Sequence, residues 1–187
     1  MLELMGGEAF VMQWAEIPAT IAAGHHWVTI LTAMFMHAGW MHILGNMVFL
    51  WAFGPEIEDA MGRPRYLAIY LLSGLAASLA QTAISPSSTV PNLGASGAIA
   101  GVMGAFLITY PHDRIRTLLV FGWFTRIALI PAALLIGLWF LMQLFSQVGA
   151  VADVDVGGGV AYAAHVGGFI FGAVTGRVFE GSSRIDE

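Results

Sequence analysis

The chain has 187 residues, of which 58% are hydrophobic and 10% are charged, and its mean hydropathy is +0.78. An ordinary soluble domain has about 25% charged residues, so this composition excludes such a domain and indicates a membrane protein. The net charge of −5, with Arg as the only basic residue type besides His, excludes a nucleic-acid partner, because phosphate binding needs a basic patch. The absence of Cys excludes disulfides, a thiolate nucleophile and a thiolate metal site.

The first 36 residues are predicted to form an interfacial loop rather than a membrane span. Glu3, Glu8, Glu16 and Pro18 interrupt their apolar character, and their aromatic residues are typical of the membrane interface. They contain no Lys or Arg, so the basic region that opens a signal peptide is not visible among them.

Five long apolar stretches follow, each near the length that a helix needs to cross about 30 Å of hydrocarbon. They lie at residues 38–55, 66–84, 95–111, 127–146 and 160–179. The predicted fold is therefore all-α, a polytopic membrane bundle with five recognisable transmembrane helices.

The arginines indicate how these helices are oriented. They fall after alternate stretches, at Arg63, Arg65, Arg114, Arg116, Arg126, Arg177 and Arg184. If successive helices alternate in direction, every Arg lies on one membrane face, which the positive-inside rule makes cytoplasmic. Segments 1–37, 85–94 and 147–159 then lie outside, and we expect a missing or truncated helix before residue 1. We predict a multi-pass protein of a prokaryotic plasma membrane, because no basic organelle-targeting segment is present.

Four polar side chains fall at a similar depth near the predicted outer face. His42 and Asn46 are four residues apart and share one helix face. Ser96 begins the third stretch, and His165 lies about five residues inside the outer end of the last. Polar groups within spans are costly to bury, so their clustering predicts a functional site.

Two glycine stripes predict which helices touch. The last stretch has glycines every four residues, nearly in line with His165, and the third has a stripe about a quarter-turn from Ser96. These glycines are Gly168, Gly172 and Gly176 on the former and Gly97, Gly101 and Gly104 on the latter. Small residues let helix backbones approach closely, so this packing is expected to bring the His165 ring to the Ser96 hydroxyl.

A serine paired with a histidine is the minimal activated nucleophile, since the imidazole takes the hydroxyl proton during attack. His42 and Asn46 would donate to the developing oxyanion, an effect of about 3 to 4 kcal/mol per donor. Structural roles stay open for each residue: a serine that bonds its own backbone, and a histidine in a structural hydrogen bond. Metal binding by His37, His42 and His165 is disfavoured because no carboxylate or thiol joins them in a span.

With these motifs in place, the sequence resembles the rhomboid intramembrane serine proteases over residues 24–179. The matches, in the family's order, are the second-helix motif His37 to His42 with Asn46, the Gly-x-x-x-Glu turn Gly54 to Glu58, the nucleophile motif Gly94 to Gly97, and the last-helix motif Ala164 to Gly168 with Gly172.

The resemblance implies a six-helix core in which Ser96 and His165 form a catalytic dyad without a third acid. It also implies an oxyanion site built from His42, Asn46 and the Ser96 backbone N–H. The residues to which it gives structural roles are Glu58, Gly97, Gly101, Gly168 and Gly172.

By the same resemblance, residues 1–36 match the half-submerged loop after the family's first helix. Residues 37–180 match the rhomboid catalytic core, which leaves 181–187 as a cytoplasmic tail. The implied function is a serine endopeptidase that cuts transmembrane proteins near the outer leaflet, with no cofactor or metal. Oligomeric state is left open.

Two other functions compete with that interpretation. An inactive rhomboid-like protein would bind membrane-protein clients, but inactive relatives usually lose the Ser or the His. A transporter or channel would use His42 and His165 in a proton path, which the lack of a mid-membrane Asp or Glu disfavours.

Three departures from the family pattern concern its first helix, its first loop and the surroundings of the histidine. The first helix is not recognisable before residue 24. The loop's usual Trp-Arg pair is Trp27-Val28, and Ala100 stands where many members carry an aromatic ring four residues after the nucleophile.

Overall fold

The computed structural model describes residues 2–152 and 161–180. Three short helices come first: α1 (Leu2–Trp14), α2 (Pro18–Ala22) and α3 (Val28–Ala33). The segment predicted as an interfacial loop is therefore a series of short helices. Several hydrogen bonds attach it to the rest of the molecule, and in one of them the Gly94 N–H donates to the Ala33 carbonyl at 2.9 Å.

Five longer helices correspond one to one to the five apolar stretches. They are α4 (Trp40–Met61), α5 (Arg63–Ile84), α6 (Ser96–Thr109), α7 (Ala132–Ala152) and α8 (Tyr162–Phe179). Among the described residues, α5 is long and apolar enough to cross a membrane, whereas α6 and the apolar part of α7 are shorter. The number of spanning helices therefore stays a prediction.

A single residue, Gly62, separates α4 from α5. Its φ of 76° lies in the left-handed region, which glycine adopts without a steric penalty. Pro64 follows in the first turn of α5, where its missing N–H costs no helical hydrogen bond. The chain therefore reverses within one residue, which places α4 and α5 side by side.

The all-α prediction is wrong between α6 and α7, where the chain forms a β-hairpin. Strands β1 (Arg114–Phe121) and β2 (Phe124–Pro131) pair antiparallel, from Arg114 opposite Pro131 to Phe121 opposite Phe124. Gly122 makes the turn with a φ of 60°, as two-residue hairpin turns require. The predicted start of the fourth helix, at residue 127, is also wrong, because the first five residues of the stretch 127–146 belong to β2. Strands rich in Ile, Leu, Val and Thr are as apolar as a helix, so hydropathy alone did not separate them.

Helix α6 is the centre of the bundle and packs against α4, α5 and α8. Its contact with α8 is backbone to backbone: a Cβ on Gly172 would overlap the Gly101 carbonyl, and one on Gly168 would overlap the Gly97 carbonyl. Gly104 is placed in the same way against the Phe169 carbonyl. The two helices carrying Ser96 and His165 are thus as close as helix backbones allow.

Candidate active site

Ser96 and His165 are joined by a hydrogen bond between α6 and α8. Ser96 is the first residue of α6, and His165 lies in the first turn of α8. The Ser96 Oγ to His165 Nε2 distance is 2.7 Å, and both residues are half-buried. A hydroxyl this close to an imidazole nitrogen has the geometry of a nucleophile and its general base.

A third side chain, Gln143 of α7, contacts the other ring nitrogen of His165. Its Oε1 lies 2.7 Å from His165 Nδ1. Sequence reasoning did not single out this residue. A signal is present in the sequence, since Gln143 is the first carboxamide in a predominantly apolar helix that also contains Ser146 and Gln147, and such groups seldom lie within apolar helices without a partner.

The aromatic ring beside the histidine comes from α7 instead of α6. The Trp139 and His165 ring centroids are 5.9 Å apart at an interplanar angle of 41°. Ala100, the position where the resemblance leads one to expect this ring, is completely buried inside the bundle. The departure at Ala100 therefore leaves the histidine packed against an aromatic side chain from another helix.

His42 and Asn46 lie on the α4 face that approaches the loop before Ser96. The Ala38 N–H donates to His42 Nδ1 at 3.3 Å, so in the neutral ring Nε2 carries the proton. A Cβ on Gly94 would lie 2.8 Å from His42 Nε2 and 3.7 Å from Asn46 Nδ2, and Gly94 has a φ of +126°. Both close approach and backbone conformation therefore require glycine there.

Asn46 provides a donor that the protein itself does not use. The residue is 7% exposed, and its Nδ2 is buried with no hydrogen-bond partner among the described residues. Leaving a buried donor unsatisfied costs about 1–3 kcal/mol. Such a group is available to a negatively charged oxygen in the adjoining cavity.

The start of α6 adds a second source of positive potential. The first N–H groups of a helix have no intrahelical partner, and the helix dipole makes that end positive. Ser96 is in this first turn. The same end of α6 thus provides both the hydroxyl and backbone donors.

A cavity of about 470 Å³ joins these groups. Helices α4, α6, α7 and α8 all contribute to its wall. The lining side chains include Met41, Phe49, Ile99, Met103 and Trp139, in addition to His42, Asn46, Ser96 and His165. An apolar cleft with a few convergent polar groups is typical of a binding site.

His37 lies against His42, with ring centroids 5.2 Å apart in an edge-on arrangement. Burial, together with the neighbouring His42, lowers the pKa of His37 from its ordinary value. Among residues 2–152 and 161–180, no group of three His, Asp or Glu side chains is placed to hold a metal ion.

Glu58 lies away from the cavity, in the last turn of α4. Its Oε1 is 3.3 Å from Arg63 Nε across the α4–α5 turn, and the Arg63 side chain is almost fully exposed. An exposed ion pair of this kind stabilises a fold by at most about 1 kcal/mol.

Comparisons with a family model and with individual proteins point to the same family. The family model described as Rhomboid domain matches residues 24–181. The chain is 35% identical over 176 residues to Rhomboid protease GluP of Bacillus subtilis, which is 92% of this chain and 30% of that protein. It is 30% identical over 153 residues to Rhomboid protein 1, mitochondrial, of Saccharomyces cerevisiae, which covers 80% of this chain and 41% of that protein. The chain spans less than half the length of these curated relatives.

Proposed function

The chain belongs to the rhomboid family, and from that premise we propose that it is a serine endopeptidase of the membrane. It cuts transmembrane-helix substrates near the outer leaflet, with Ser96 and His165 as the dyad. The observation that carries this proposal is the 2.7 Å hydrogen bond between Ser96 Oγ and His165 Nε2 beside the cavity. The name of one relative, Rhomboid protease GluP, supports a protease.

In the first half of the reaction, Ser96 Oγ attacks the carbonyl carbon of the scissile peptide while His165 Nε2 takes the hydroxyl proton. The carbonyl oxygen becomes an oxyanion. It accepts hydrogen bonds from His42 Nε2–H, Asn46 Nδ2–H and the Ser96 backbone N–H. The C–N bond then breaks, His165 returns the proton to the leaving amine, and an acyl ester on Ser96 is left.

In the second half, His165 takes a proton from a water molecule that attacks the ester carbonyl. The same donors hold the second oxyanion. Collapse breaks the bond to Ser96 Oγ, His165 returns the proton to that oxygen, and the product leaves with a new carboxyl group. The dyad ends as it began, so no cofactor is required.

We place helices α4 to α8 across the bilayer, with the site opening to the external side. The supporting observation is the arginine distribution, because every Arg falls on one face when these helices alternate in direction. The β-hairpin, which carries Arg114, Arg116 and Arg126, is then cytoplasmic. A prokaryotic plasma membrane suits this orientation.

The position of the cavity beside Ser96 and His165 supports an extended substrate segment. A helix satisfies its own carbonyls internally, so a protease reaches them only after the segment unwinds. We expect an unwound segment with small side chains to enter this cavity, where Met41, Phe49 and Trp139 line the wall. Membrane proteins with easily unwound helices are therefore the expected substrates.

Fluorophosphonate labelling in detergent at neutral pH tests the dyad. We expect one adduct, located on Ser96 by mass spectrometry, and none in His165→Ala. A transmembrane-helix substrate should be cut by the wild type and left intact by Ser96→Ala. Client binding without an adduct or cleavage in the wild type would instead identify an inactive rhomboid-like protein.

A further inference from the structure

We propose that Gln143 is a positioning residue for the dyad: its side-chain oxygen selects the tautomer of His165 that can act as a base. This inference deepens the proposed function and depends on it for its catalytic consequence. It goes beyond the dyad that the family resemblance implies, because it adds an amide from α7.

The two ring nitrogens of His165 face partners with different hydrogen-bonding abilities. Gln143 Oε1 is a carbonyl oxygen and only accepts, so His165 Nδ1 at 2.7 Å must be the donor. A neutral imidazole carries one proton, and that proton is then on Nδ1. His165 Nε2 is left with a free lone pair, to which the Ser96 hydroxyl donates at 2.7 Å.

The other tautomer would be unproductive. With the proton on Nε2, His165 would donate to Ser96 Oγ and have no lone pair to accept the hydroxyl proton. The serine would then keep its proton during attack. The identity of the group that faces Nδ1 therefore decides whether the neighbouring nitrogen is a base.

The same contact persists when the ring becomes positively charged. An imidazolium donates from both nitrogens, and a hydrogen bond from a charged donor is about twice as strong as a neutral one. Gln143 Oε1 therefore helps to stabilise the state in which His165 holds the serine proton. A carboxylate would do this more strongly, but burying a charge beside apolar helices is much costlier than burying an amide.

Packing between α7 and α8 holds the amide at the level of the imidazole. The Phe140 and Phe169 rings stack with centroids 4.4 Å apart, and Trp139 contacts both His165 and Phe169. Gln143 is one helical turn beyond Trp139, on the same face of α7. The side chain thus reaches His165 from a helix whose rotation is fixed by aromatic contacts.

The experiment compares two variants. Gln143→Met has a side chain of similar length without an acceptor oxygen, and Gln143→Glu retains an acceptor oxygen. Gln147→Met, one turn further along α7, is the matched control. Nitrogen-15 NMR of the histidine rings in detergent, with the His165 signals assigned through His165→Ala, reports the tautomer. The labelling rate of Ser96 by a fluorophosphonate reports the nucleophile.

We expect His165 in the wild type to carry its proton on Nδ1, and Gln143→Met to produce a mixture of tautomers. We expect Gln143→Met to lower the labelling rate about 10- to 100-fold, consistent with the 10²–10⁴ that a positioned base contributes. Gln143→Glu should restore most of that rate, and Gln147→Met should match the wild type in both measurements.

Two results would overturn the proposal: a wild-type His165 protonated on Nε2, or a tautomer unchanged by Gln143→Met. Because the NMR measurement needs no turnover, it tests Gln143 even if Ser96 is never labelled. Absence of labelling in a wild type with the expected tautomer would count against the proposed protease and leave the role of Gln143 in orienting the ring intact.

Discussion

Glu16 and Asn92 exchange two backbone hydrogen bonds: the Glu16 N–H donates to the Asn92 carbonyl at 3.0 Å, and the Asn92 N–H donates to the Glu16 carbonyl at 2.7 Å. Asn92 is four residues before Ser96. The Glu16 side chain points inward, is 5% exposed and accepts a hydrogen bond from Thr82 Oγ1 at 3.2 Å. The N-terminal segment is therefore fastened to the loop that leads into the nucleophile.

The buried Glu16 carboxyl predicts how the free energy of unfolding depends on pH. Burial raises the pKa of the Glu16 carboxyl from its ordinary value of 4.5 to about 7, against the opposing effect of the neighbouring Ser78 and Thr82 hydroxyls. The folded state then binds a proton more tightly than the unfolded state. The stabilisation is complete below pH 4.5 and is lost as the pH rises to 7, by about 3 kcal/mol.

Thermal unfolding in detergent at pH 5, 6.5 and 8 measures this effect. Glu16→Gln should unfold at a higher temperature than the wild type at pH 8 and should show a weaker dependence on pH. The exposed Glu8 offers the control substitution Glu8→Gln, which should retain the wild-type slope. An equal slope in the wild type and Glu16→Gln would contradict the prediction.

Asn46→Ala is expected to lower kcat without lowering stability. The Asn46 Nδ2 has no hydrogen-bond partner among the described residues, so its loss breaks no hydrogen bond of that group within the fold. Loss of one oxyanion donor costs about 10²- to 10³-fold in kcat. Cleavage kinetics on a transmembrane substrate, with the exposed Leu44→Ala as control, test this. A lower unfolding temperature with unchanged kcat would show that Asn46 is structural instead.

Gly172→Ala is expected to abolish labelling of Ser96 and to destabilise the bundle. The added methyl group would overlap the Gly101 carbonyl, so α6 and α8 must separate. Overpacking of this kind costs about 1–3 kcal/mol, or more when backbone must move. Gly137→Ala in α7 is the control, because a Cβ there meets nothing within 4 Å. Normal labelling of Gly172→Ala would show that the contact between the helix backbones is dispensable.

Ala100→Phe, which introduces an aromatic ring where many family members have one, is expected to destabilise this protein by about 1–3 kcal/mol. Ala100 is completely buried, and Trp139 already packs against His165. The unfolding temperature, compared with that of Val174→Phe at an exposed position of α8, measures the cost. A stabilised Ala100→Phe would mean that space for a ring exists beside α6.

The sequence predicts the parts of the site that depend on regular helix geometry. His42 and Asn46 share a face because they are four residues apart, and the glycine spacing on α6 and α8 indicates which backbones can touch. Both inferences need only the period of a helix. The order of the five long helices follows equally from hydropathy.

Features that depend on tertiary contacts were not predictable in this way. Gln143 is recognisable as a polar residue in an apolar stretch, but its 2.7 Å contact with His165 depends on the rotation of α7. Trp139 replaces a ring expected at Ala100 because two different helices can reach the same imidazole. Hydropathy does not reveal the hairpin, because apolar strands and helices have similar hydropathy and the turn residue Gly122 is the main difference in the sequence.

In the proposed membrane orientation, the length of α6 would determine how deep in the bilayer the proposed reaction takes place. Its 14 residues span about 21 Å, whereas the hydrocarbon layer is about 30 Å thick. If α6 crosses the bilayer with Thr109 at the inner boundary, Ser96 would lie about 9 Å below the outer one. Water is scarce at that depth, so each turnover of the proposed reaction would need a hydrated path from the exterior. A scissile bond must also descend below the headgroups before Ser96 can reach it.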